Sequence, residues 1–180
     1  MSWIPKIELT PGFTKDWLED TLVDESRVEV KPLTADFWPR NNYGLFANRS
    51  YEKGELILSL KGMIVASPTR TSIQMNENSH IENFMAGKLN HHCDPTTEIE
   101  FNKSDESNIN LLVYALKDIP SGEQLTFDYE TTESLMSDPF KCACHGKWIR
   151  GKDYEANLMI DEGGMDYSGA FESDIEEEIW

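Results

Sequence analysis

The chain has 180 residues, with 33 acidic against 16 basic side chains, a net charge of −17 and 39% hydrophobic content. A domain of this size buries a core without disulfide staples, and so acidic a chain disfavours direct nucleic-acid binding, which needs cations clustered against phosphate, while it suits a basic, Lys-rich partner or plain solubility. No apolar run approaches the roughly 18 residues of a membrane span, no signal-peptide core stands near Met1, and three cysteines make no secreted disulfide framework, so the expectation is a soluble intracellular protein, cytoplasmic or nuclear, with no membrane partner.

Residues 1–13 hold two prolines and a glycine and read as an extended arm. Trp17, Leu18 and Leu22 then recur at helical spacing behind Thr14 as an N-cap, which predicts a short helix. Arg27-Val28-Glu29-Val30-Lys31 alternates polar and apolar, as a half-buried strand does, and Pro32 ends it. A loop with Pro39, Asn41 and Asn42 follows. From Tyr43 to Ile81 the pattern is of short strands and turns: Leu45-Phe46-Ala47, Glu55 to Leu60, Met63-Ile64-Val65, Ile73-Gln74-Met75 and a further one at Ile81. The most apolar run, Asn108 to Leu116, predicts a central strand. Ile119-Pro120-Ser121-Gly122-Glu123 predicts a tight turn, since proline presets φ and glycine accepts a positive φ. Gln124 to Tyr129 is a last short strand. Many short strands with little helix make a β-rich α+β domain. Residues 161–180 carry eight acids, no bases and three glycines, and read as a mobile acidic tail.

Two motifs stand out. Asn90-His91-His92-Cys93-Asp94-Pro95 has the form N-H-x-C-x-P, and Leu125-Thr126-Phe127-Asp128-Tyr129 answers it thirty-five residues later. Cys142-Ala143-Cys144 follows. Taken alone, each has an ordinary structural reading. Asn-His pairs sit in loops, and Phe127 and Tyr129 could simply end a strand. Together they resemble the SET-domain family of protein-lysine N-methyltransferases, and the resemblance covers roughly residues 28–152.

The resemblance implies a SET fold of several small curved sheets with a pseudoknot-like threaded loop. It divides the chain into an arm and helix (1–27), the SET domain (28–135), a post-SET-like segment (136–160) and the acidic tail (161–180). It implies S-adenosylmethionine as cofactor, with Asn90 and His91 binding it. Asn42-Tyr43-Gly44 matches the first cofactor segment, with Asn42 where a glycine is usual, and Trp148 stands where family members often place an aromatic over the adenine. Tyr129 is the implied catalytic residue, placing its hydroxyl beside the transferring methyl. Phe127, two residues before it, lines the substrate channel; a phenylalanine there implies di- or trimethylation. The implied substrate is a Lys-containing, basic protein. A SET-like enzyme of a small amine and a non-catalytic interaction module are the alternatives. Cys93, Cys142 and Cys144 correspond to three of the four thiolates that bind zinc in many relatives. The fourth cysteine of the usual C-x-C-x-x-x-x-C pattern is absent, which favours a metal-free remnant over a bound zinc. His145 and His92 are the candidate replacements.

Overall fold

The computed structural model describes residues 26–33, 43–103 and 109–154. The helix expected over Thr14 to Leu22, the loop with Asn41 and Asn42, and the acidic tail lie outside them. Twelve short strands form four small sheets among the described residues. β1 (Val28–Pro32), β2 (Tyr43–Ala47), β10 (Gln124–Phe127) and β7 (Asn90–His91) make the first, in that order. β3 (Leu56–Lys61), β9 (Ile109–Ala115) and β8 (Thr97–Lys103) make the second; β4 (Met63–Val65), β6 (Ser79–Glu82) and β5 (Ile73–Asn76) the third; and β11 (Phe140–Lys141) with β12 (Trp148–Ile149) the fourth.

The apolar run around Leu112 is a middle strand, as its composition predicts. β9 pairs with β3 on one side and β8 on the other. Its alternate residues Leu111, Val113 and Ala115 are buried, the period of a strand with one face on the core. In β3 the register shifts between Leu56 and Leu58. A bulge of this kind turns two successive side chains inward, and Ile57 and Leu58 are both buried. β8 is absent from the sequence reading. It alternates, but its glutamates have low strand preference, and its place is set by seven residue pairings with β9. At its far end β10 stops at Phe127, and Tyr129 begins a 3-10 turn instead of ending the strand.

The turn at Pro120 forms as predicted. Gly122 adopts φ 88°, and its N–H donates to the Ala47 carbonyl at 2.7 Å. Gly151 has a stricter role. Its φ is +103°, and a Cβ there would stand 2.5 Å from the Ser134 carbonyl oxygen and 2.7 Å from Leu135 Cα. Both neighbours are backbone, on a segment held by bonds from Lys152 N–H to Glu133 O and from Asp153 N–H to Ser134 O. Gly151→Ala is therefore expected to lose roughly 2–3 kcal/mol. A thermal melt checks it: the midpoint should fall by about 5–10 °C, and an unchanged midpoint would show that the contact relaxes without cost.

Candidate active site

Asp128 caps the 3-10 turn Tyr129–Thr131, its carboxylate accepting the Glu130 N–H at 3.0 Å. β7 lies parallel to β10, with Asn90 opposite Thr126 and His91 opposite Phe127. That pairing joins the two sequence motifs. The Tyr129 N–H donates to His91 Nδ1 at 3.2 Å, across 38 residues. The Tyr129 hydroxyl donates to the Leu89 carbonyl at 2.9 Å. Its ring stands edge-on to His91 at 5.3 Å and to Phe140 at 6.0 Å, and tilted against Phe127 at 4.7 Å. Burial, with the Glu133 charge adding to it, pushes the hydroxyl pKa well up. The group stays neutral, its proton lies on Leu89, and its lone pairs are free to accept.

A narrow cavity of about 30 Å³ opens beside Tyr129, lined by Leu89, Phe127, Tyr129, Glu133, Arg70 and Thr71 among others. Phe127 is 3% exposed. Glu133 is a site residue that sequence reasoning missed. It is 6% exposed, and its Oε1 accepts the Gln74 N–H at 2.8 Å and the Thr132 hydroxyl at 3.1 Å. No cation lies within ion-pair distance of it among the described residues. Burial pushes its pKa up, against these hydrogen bonds. An acid four residues after Tyr129 carries no signal by itself; only the fold turns it into the cavity wall. Phe140, edge-on to His91 and Tyr129, was also missed, because only the fold brings it beside them.

Asn90 Nδ2 donates to the Tyr43 carbonyl at 3.0 Å and, more weakly, to the Lys88 carbonyl at 3.4 Å. The two implied cofactor segments are thereby adjacent, and Tyr43 is 42% exposed at their junction. Beside them the buried Nε2 of Gln124 has no hydrogen-bond partner among the described residues. It stands 2.7 Å from where a Gly44 Cβ would be. Asn42 lies outside the described residues. Trp148 is 44% exposed on β12, not in the core, with Lys141 and Arg150 over its ring at 5.6 and 5.1 Å.

The three cysteines converge. Cys93 Sγ is 3.6 Å from Cys142 Sγ and 3.4 Å from Cys144 Sγ. Burial, then the neighbouring thiols, push the Cys93 thiol up to about 12. At Cys142 burial also acts upward, but hydrogen bonds from the His145 N–H, Cys144 and Cys93 outweigh it, and its pKa is lowered. The histidine that joins them is His91, whose Nε2 is 3.4 Å from Cys93 Sγ. Neither candidate replacement is in the cluster. The His92 ring is held in a local turn, Nδ1 accepting the Asp94 N–H at 3.0 Å. The His91 side chain is 1% exposed and its Nδ1 lies 3.6 Å from Asp128 Oδ1. Burial lowers its pKa against the pull of Asp128 and Glu130. The ring is neutral, and the Tyr129 N–H on Nδ1 puts its proton on Nε2.

Residues 42–130 match the family model described as SET domain. A variant-silencing SET domain-containing protein of Plasmodium falciparum is 25% identical over 138 residues, 64% of this chain and 5% of that protein. A Kluyveromyces lactis histone-lysine N-methyltransferase, H3 lysine-4 specific, is 24% identical over 160 residues, 78% of this chain and 16% of that protein. An H3 lysine-9 specific histone-lysine N-methyltransferase of Fusarium mangiferae is 44% identical over 81 residues, 37% of this chain and 24% of that protein. The matched stretches thus span a quarter or less of each of these relatives. With both motifs paired across β7 and β10 in a domain of small sheets, the chain carries a SET domain over residues 42–130.

Proposed function

We propose that this protein transfers methyl groups from S-adenosylmethionine to lysine side chains of a basic protein. The observation that carries the reading is the Tyr129 hydroxyl, anchored on Leu89 at the wall of a narrow cavity that also holds Phe127 and Glu133. The cofactor supplies an electrophilic methyl group on a sulfonium. The residues beside Asn90 fit it: an exposed Tyr43 ring at the junction of the two segments, and Gln124 Nε2, which has no hydrogen-bond partner among the described residues. Asn90 and the His91 backbone would hold it, since the His91 imidazole is committed to protein groups. Tyr43 and Gly44 would form the adjoining wall, and Trp148 would cover the adenine.

The lysine stem enters the cavity that Phe127 and Tyr129 line side by side, where a narrow passage aligns the amine and excludes water. The lysine would shed its proton to solvent on entry, and the Tyr129 oxygen would then accept an N–H of the neutral amine and hold its lone pair toward the cofactor. Glu133 faces the incoming ammonium. The net charge of −17 draws a Lys-rich substrate by long-range attraction. A histone is one substrate of that chemistry, as in the names of two relatives, and a histone substrate would imply a nuclear site of action. Among the described residues no helix is long and apolar enough to cross a membrane. Cys93, Cys142 and Cys144 would hold a structural zinc beside the site, three soft donors at mutual distances suited to it.

Calorimetric titration with S-adenosylmethionine, then methyl transfer to Lys-rich peptides with Tyr129→Phe as blank, tests the reading. Cofactor binding and tyrosine-dependent peptide methylation support it. Methylation confined to free amines would point to a small-molecule enzyme, and no cofactor binding by the folded protein to an interaction module. Phe127→Tyr is expected to shift the products toward monomethyl-lysine by mass spectrometry, because a hydroxyl added to this buried ring crowds the amine. An unchanged product distribution would remove Phe127 from control of multiplicity.

A further inference from the structure

The donor set around Cys93 is one ligand short if only thiols are counted. Structural zinc sites are almost always four-coordinate. In the C-x-C-x-x-x-x-C pattern the fourth cysteine falls at position 149, where Ile149 stands, fully buried in β12. The structure supplies a different fourth donor. The nearest ligand atoms of His91, Cys93, Cys142 and Cys144 all lie within 4.8 Å of one another.

We propose that His91 is the fourth ligand of this zinc site, so that an imidazole replaces the missing thiolate and the site is three sulfurs and one nitrogen. The proposal rests on the zinc reading given above and goes beyond it in assigning the fourth corner. The distances suit it. Zn–S of about 2.3 Å and Zn–N of about 2.0–2.1 Å give tetrahedral edges of roughly 3.5–3.8 Å. The resolved edges are 3.6 Å (Cys93–Cys142), 3.4 Å (Cys93–Cys144) and 3.4 Å (His91–Cys93). The ligands come as two pairs with one residue between them, His91-x-Cys93 on β7 and the following loop, and Cys142-x-Cys144 after β11. Each pair is a local chelate, and the metal ties one to the other across 49 residues. His91 and Cys142 are buried and Cys93 and Cys144 half-buried, the enclosure of a structural site.

A carboxylate for the outer shell stands close by. Ligation through Nε2 would move the ring proton to Nδ1, and Asp128 Oδ1 lies 3.6 Å from that atom, so that a small approach would complete the carboxylate–histidine–metal arrangement that orients such ligands. The Tyr129 N–H, which now donates to Nδ1, loses that acceptor. Zinc loading thus acts on the backbone anchor of the residue whose hydroxyl lines the cavity.

The test measures zinc, not turnover. The full chain is purified under reducing conditions, its zinc is counted by elemental mass spectrometry, and its ligands are read by zinc X-ray absorption. The expected result is one zinc per chain with three sulfur and one nitrogen ligands. His91→Ala should weaken zinc binding in chelator competition by more than about 100-fold, the upper end of what outer-shell changes cost. His91→Cys should restore tight binding and convert the spectrum to four sulfurs, which keeps the test decisive should the alanine variant fail to fold. One zinc with three sulfurs and an oxygen, held equally well in folded His91→Ala, would overturn the assignment of His91 and leave the three-thiolate site standing. No zinc in the folded, reduced wild type, even after incubation with zinc, would overturn the site as a whole.

Discussion

Tyr129→Phe is expected to lower methyl transfer to a lysine peptide by roughly two to three orders of magnitude, the effect of removing one preorganised polar group from a water-excluded site. The hydroxyl is held by one bond, to the Leu89 carbonyl at 2.9 Å, and it presents lone pairs to the cavity. Phenylalanine keeps the ring contacts with His91, Phe127 and Phe140 and loses only the oxygen. Cofactor affinity by calorimetry should therefore stay within a few-fold of wild type. Stability should fall by about 1 kcal/mol for the lost hydrogen bond. If turnover fell together with cofactor affinity, the hydroxyl would be part of the cofactor's seat and not of the transfer step. If turnover were unchanged, Tyr129 would have no role in chemistry.

Glu133→Gln should act in opposite directions on stability and on substrate. The carboxyl is buried with no cation at ion-pair distance among the described residues, and burial raises its folded-state pKa against the hydrogen bonds and the more distant Lys152 charge. Its neutral form is the one the fold favours. That contribution is fully present below the ordinary carboxylate range and is lost as pH rises through the raised folded value. Near pH 7 the ionised group therefore costs stability. Glutamine keeps an oxygen for the Gln74 N–H and the Thr132 hydroxyl and carries no charge. The variant should melt higher than wild type at neutral pH, and the gap should close as pH falls below the carboxylate range. Against lysine the sign reverses. An ammonium entering this cavity meets the only buried carboxylate among its described lining residues, and losing that charge-assisted contact should weaken peptide affinity by about 10–100-fold, or 1.5–3 kcal/mol. A norleucine peptide separates this from damage to the fold, because it should bind both forms equally. If wild type and variant discriminate lysine from norleucine alike, Glu133 is only the clip between β5 and the turn after Tyr129.

The parts legible from sequence are those written in contiguous residues. β3, β9 and the Gly122 turn follow from apolar runs and turn chemistry, because burial and φ preferences act over a few residues. β8 was not legible. Neither were the two-residue strands β7, β11 and β12, which are too short to show a period and exist only through their partners. The end of β10 was misplaced by two residues because the Asp128 cap, a side chain bonding to its own backbone, overrides the strand-like pattern Phe127-Asp128-Tyr129.

The candidate site divides along the same line. Asn90, His91, Phe127, Tyr129 and the three cysteines could be named from their motifs, since donors, acceptors and soft ligands are properties of residue type. Which of them meet was decided by the tertiary structure. The parallel pairing of β7 with β10 sets His91 against the Tyr129 N–H. The same placement carries His91 into the thiol cluster, where sequence pointed to His92 or His145. The turn after Asp128 swings Glu133 into the cavity wall. Sequence by itself determined the family, the strand-rich fold and the chemical inventory. Only the fold determined the neighbours, because contacts between residues 38 to 49 positions apart depend on strand register and chain path, which no local preference encodes.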